Sequence, residues 1–226
     1  MALFSIFKKK QKPLDVEVAG IAFSNPVGLF PSDSSLSGCL ASKAGFVTFS
    51  PPKTHVIDWI TGLKTKSLRC PIAVNVNFDI IRTFSLVYDF ADFIIVDPDS
   101  DNGIGAADIA DTSNLLDELT SLRLCYERYT PVFLRFSHGT SEDEIRHLLS
   151  ACRLCGLDGV VVSGVRMLSL AREITLGRLP LIAVASTPED ALLQLEQGAS
   201  LVEAHMRPAA VLRTIQTLEN QEPKQI

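Results

Sequence analysis

The amino-acid sequence predicts an α/β fold: a compact (β/α)8 TIM barrel preceded by a short N-terminal hairpin. Eight short apolar runs lie between Pro26 and Met206, with helix-compatible stretches between them. The runs are near-continuous Val, Ile, Leu and Phe rather than strict alternations, as parallel strands buried on both faces require. The chain has 226 residues, near the low end for such barrels, and an open doubly wound sheet is the structural alternative.

The elements follow in order. Residues 1–13 read as a flexible basic terminus, 14–220 as one barrel domain and 221–226 as a tail. DVEVAGIAFSNP alternates apolar and polar residues and predicts the hairpin. The predicted strands are 26–30, 45–49, 71–77, 92–97, 131–136, 158–163, 180–185 and 200–204. The predicted helices are 34–43, 79–89, 112–128, 141–155, 166–177, 188–197 and 208–218. Thr140 or Ser141 before Glu142, Asp143 and Glu144 puts negative charge on a helix start, and Thr187 stands before Pro188 with Asp190 three residues on. Gly45, Gly156, Gly177 and Gly198 each close a helical stretch ahead of a strand.

Composition excludes several classes. With 46% hydrophobic residues the chain can bury a sizeable core, and a net charge of −5 argues against nucleic-acid binding through phosphate neutralisation. Lys8, Lys9, Lys10 and Lys12 follow MALFSIF, which is too short for a signal peptide or a spanning helix. That segment reads as a solvated terminus rather than a firm membrane anchor. Five scattered cysteines do not form a disulfide framework, so a reducing cytoplasm is expected. Cys152 and Cys155 make the single CxxC, inside a helical pattern and with no second pair to complete a zinc site. A homo-oligomer is compatible with all of this.

Chemistry in such a barrel sits where strands end and βα loops begin. Asp97, Asp99, Asp101 and Asp108 have a calcium-loop-like spacing, but Asn102 stands where the sharp turn wants glycine. The loop therefore reads as solvated, with an N-capping aspartate. His55, His138 and His205 fall just past strand ends and raise a metal-assisted site as an option. Arg135, ending a strand inside a barrel, needs an anion; either Asp97 on the neighbouring strand or an anionic small-molecule ligand serves. The last two loops form the usual phosphate corner of such barrels. Here it reads VASTPEDA: Ser186 and Thr187 offer hydroxyls, Pro188 lacks an N–H, and Glu189 and Asp190 repel phosphate.

At these residues the chain resembles the dihydroorotate dehydrogenase family, FMN-dependent barrels of pyrimidine synthesis. The likeness runs in order through VAGIAFSNPVGL, KAGFVTFS, PIAVNVN, ADFIIVDPDSDN, TPVFLRFSHGTSEDEI, GLDGVVVSG and LPLIAVASTPEDALLQLEQGASLVEAHM. It implies Asn75 near a flavin, Arg135 at the flavin-contacting lysine, Ser100 as the catalytic base, Asn102 on the substrate, and Ser186 and Thr187 at the flavin phosphate. The departures are systematic. Phe30 and Pro31, Ser50 and Pro51, and Ala185 and Ser186 replace small or glycine-bearing pairs, and a Cβ at such places intrudes where backbone would approach a phosphate. Asp97 and Gly164 each replace an asparagine, and the family's long segments after the second and sixth strands are cut short. The expectation is a barrel whose FMN and substrate sites have eroded, non-catalytic or repurposed for binding. The alternative is a divergent FMN-dependent oxidoreductase using those same residues, and the second alternative is the metal-assisted barrel enzyme.

Overall fold

The computed structural model describes residues 14–30, 43–65, 68–98, 109–136, 140–205 and 208–219. Eight parallel strands close into a barrel: β3 (Val27–Leu29), β4 (Phe46–Phe49), β5 (Ile72–Val76), β6 (Phe93–Val96), β7 (Val132–Arg135), β8 (Gly159–Ser163), β9 (Leu181–Ala185) and β10 (Leu201–Ala204). β10 pairs with β3 to complete the ring. Every predicted barrel strand is present, trimmed by a residue or so at its ends. Ahead of them β1 (Val16–Val18) and β2 (Ile21–Phe23) form the expected antiparallel hairpin. Its turn, Ala19 and Gly20, has φ of 51° and 78°, the left-handed pair that a two-residue hairpin turn needs.

Around the barrel run α1 (Val56–Lys64), α2 (Ile80–Val87), α3 (Ile109–Arg123), α4 (Glu142–Leu154), α5 (Val165–Thr175), α6 (Pro188–Glu196) and α7 (Pro208–Glu219). The Ser141 hydroxyl accepts from the Glu144 N–H at 3.3 Å while the Glu144 carboxylate accepts from the Ser141 N–H at 2.6 Å, a complete capping box. That backbone donor holds the Glu144 carboxyl below its usual range. Helix α1 was not anticipated. Its Val56, Ile60 and Leu63 are buried at helical spacing, but the two prolines before it and Gly62 within it mask the signal. The helix expected at 34–43, the basic terminus 1–13 and the tail 221–226 lie outside the described residues, Lys43 aside.

Strand alternation divides the core. Outward residues such as Val74, Ile94, Leu134, Val160 and Val202 pack under the helices, while inward Phe46, Phe93 and Phe133 fill the lumen with Phe23 from the hairpin. Phe23 meets Phe46 and Phe93 edge-on at 5.7 and 6.0 Å, so the hairpin closes the N-terminal end of the barrel. Gly28 makes room for this packing, because a Cβ there would lie 2.1 Å from the Phe46 ring. The CxxC belongs to the outer layer: Cys152 and Cys155 are buried in α4 and its cap, and desolvation pushes their thiols up to about 12 and about 11. Near the same end of the barrel, Asp158 accepts from Arg123, from the Tyr129 hydroxyl and from the Val132 N–H.

Candidate functional site

The lumen changes character toward the C-terminal ends of the strands. Above the aromatic layer, alternation turns Thr48, Asn75, Arg135 and Glu203 inward, followed by Asp97. Arg135 leaves β7 and crosses the barrel to β10, where its Nη2 donates to Glu203 Oε2 at 2.7 Å. Its Nε donates to Asn75 Oδ1 at 3.2 Å and lies 3.7 Å from Asp97 Oδ2. Asn75 Nδ2 in turn donates to Asp97 at 3.4 Å. Phe30 covers the guanidinium, its ring 5.6 Å away, and His205 meets Phe30 edge-on at 5.2 Å.

Two polar atoms in this layer lack partners among the described residues. Glu203 is wholly buried and uses one oxygen on Arg135, while its Oε1 has no hydrogen-bond partner; the buried Thr48 hydroxyl has none either. Asn75 and Arg135 are thus brought together, and the pairing of Arg135 with Asp97 is present. The principal partner, Glu203, was missed. Its sequence signal was a lone acid in the apolar run SLVEAH, on the inward register with Leu201.

At the corner between β9 and α6, Thr187 caps the helix, its hydroxyl accepting from the Asp190 N–H at 3.1 Å. The Ser186 N–H donates to Asp190 Oδ2 at 3.1 Å, and Gln194 donates to the other Asp190 oxygen at 3.0 Å. The Ser186 backbone donor is therefore engaged by a carboxylate of the same chain. On the far side, Gly164 caps α5 with φ of 83°, a conformation that an asparagine adopts only under strain.

Ser100 and Asn102 lie outside the described residues, as do Asp99, Asp101, Asp108 and His138. Among the described residues no three His, Cys, Asp or Glu side chains are grouped to hold a metal. His55 pairs with Asp58 at 3.3 Å, beside a groove of about 500 Å³ between the starts of α1 and α2 that Lys53, Phe78 and Arg82 also line. Among the described residues no helix is long and apolar enough to cross a membrane.

No family model matches the chain. In sequence it is similar to the dihydroorotate dehydrogenase (quinone) of Marinobacter nauticus, with 23% identity over 230 residues, 79% of this chain and 67% of that protein. In fold it matches the dihydroorotate dehydrogenase of Eimeria tenella, crystallised with ferulenol, with a TM-score of 0.75 at 17% identity over 95% of this chain and 86% of that one. The chain resembles the dihydroorotate dehydrogenases. A mandelate oxidase variant with a monooxide FMN adduct aligns less closely, with a TM-score of 0.60 at 16% identity over 92% of this chain and 74% of that one. Arg135, expected from the resemblance to stand where a lysine contacts the flavin, is turned onto an internal carboxylate.

Proposed function

We propose that this chain is a dihydroorotate dehydrogenase-like barrel whose flavin and substrate sites have eroded, leaving a non-catalytic or repurposed binding protein. The observation that carries the reading is the engagement of Arg135 by buried Glu203 at 2.7 Å, with Asn75 and Asp97 on its remaining face. A cation placed to meet a flavin must have donors free for it, and these point into the lumen.

The residues present do not fit FMN at two further places. At the phosphate corner Asp190 takes the Ser186 N–H and adds negative charge where a dianion would sit. Beside the mouth, Phe30 stacks on the guanidinium in the space that a small residue would leave open.

The competing reading, a divergent FMN-dependent oxidoreductase with Ser100 as base, draws on Asn75, which keeps its inward place at the mouth, and on the FMN adduct of the mandelate oxidase relative. Incubation with FMN followed by flavin-fluorescence titration separates the two. The eroded-site reading predicts no saturable quenching and no oxidation of dihydroorotate; quenching to a one-to-one endpoint would overturn it.

A further inference from the structure

We propose that Glu203 is a specificity-determining residue of the barrel mouth: it acts as a built-in anion that occupies Arg135 and so bars anionic ligands from it. The inference rests on the eroded-site reading and adds the residue that enforces it.

A carboxylate buried in an apolar lumen is costly unless a partner compensates it. Glu203 stands on β10 directly above Leu201, in register with Gly28 on one side and Val184 on the other, with no polar neighbour in those pairs. Its hydrogen bond among the described residues is the one to Arg135, through Oε2, while Oε1 has no partner. An acid held by a single oxygen, with its other lone pairs wasted, is explained by its charge. It neutralises a guanidinium that is itself held 13% exposed inside the lumen. The two residues are contributed by strands three places apart around the ring, β7 and β10, so the pair spans the lumen rather than decorating one edge. A ligand phosphate, carboxylate or ionised flavin ring approaching Arg135 must displace Glu203 or share the guanidinium with it at close range. Either route adds like-charge repulsion, the repulsive element by which a site rejects one class of ligand.

Glu203→Gln retains an oxygen for the Arg135 N–H and removes the charge. Calorimetric titration with FMN and with inorganic phosphate is expected to give at most weak, non-saturating binding for the wild-type chain, from which a lower bound on its Kd is set. The variant is expected to bind at least about tenfold more tightly than wild type, a change of about 1.4 kcal/mol. A folded Glu203→Gln protein that binds neither probe better than wild type overturns the role of Glu203 while leaving the eroded-site reading intact. Tight FMN binding by the wild-type chain overturns the eroded-site reading, and the role of Glu203 with it. Should the variant not fold, the NMR signal of the Arg135 Nε–H in the wild-type chain decides. It is expected to stay fixed as phosphate is added, and a saturable shift would refute the proposal.

Discussion

Replacing Arg135 by leucine removes the cation of the lumen and leaves Glu203 buried without compensation. At 2.7 Å the gross attraction is about 6 kcal/mol for an effective dielectric constant of about 20. Desolvation of both groups offsets much of that in the intact pair. Deleting one partner does not return the desolvation of the other, so the expected cost is about 3 to 5 kcal/mol. The Asn75 oxygen loses its donor as well, for about 1 kcal/mol more. Against a total stability of about 5 to 15 kcal/mol this is a large fraction. For a chain of this size it lowers the melting temperature by roughly 8 to 24 °C. Differential scanning calorimetry and urea unfolding measure it directly. The double variant Arg135→Leu with Glu203→Leu removes both charges and is expected to regain most of the loss. A single variant within about 1 kcal/mol of wild type, or a double variant no more stable than the single, would refute the account of the pair.

Other outcomes follow from the same geometry. Thr48→Val replaces a hydroxyl that has no partner among the described residues by a group of similar shape, so urea unfolding should show equal or greater stability; a loss above about 1 kcal/mol would mean that the hydroxyl is satisfied after all. Phe23→Ala opens the hairpin plug against Phe46 and Phe93 and should cost about 3 to 5 kcal/mol by the same assay; a small effect would detach the hairpin from the core. Burial raises the Cys152 and Cys155 thiols to about 12 and about 11, so the folded state favours the neutral thiol. That stability is present below the unfolded thiol value of about 8.5 and is lost as pH rises through the folded values. Native alkylation near neutral pH should accordingly modify exposed Cys125 and spare the CxxC pair, and mass spectrometry showing Cys152 modified first would contradict this.

The barrel itself was legible because a parallel strand covered on both faces needs an unbroken apolar run, and each of the eight announced itself that way. The hairpin was legible from alternation and its Ala19–Gly20 turn. Helix α1 was not, since Pro51, Pro52 and Gly62 disguise a buried stripe of only three residues. In the candidate site, Arg135 was singled out because a guanidinium at an inward strand end must find an anion. The identity of that anion was hidden, because Glu203 lies 68 positions away in sequence and only ring closure of β10 onto β3 brings it to the lumen. Sequence showed that the phosphate corner was acidic. That Asp190 accepts the Ser186 N–H required the fold.

The central claim is tested most directly by the absorbance of the purified protein between about 350 and 500 nm, recorded after incubation with FMN and desalting. The engaged Arg135 and the occupied corner predict a colourless protein. A flavin band at one equivalent per chain that survives desalting would contradict the eroded-site account.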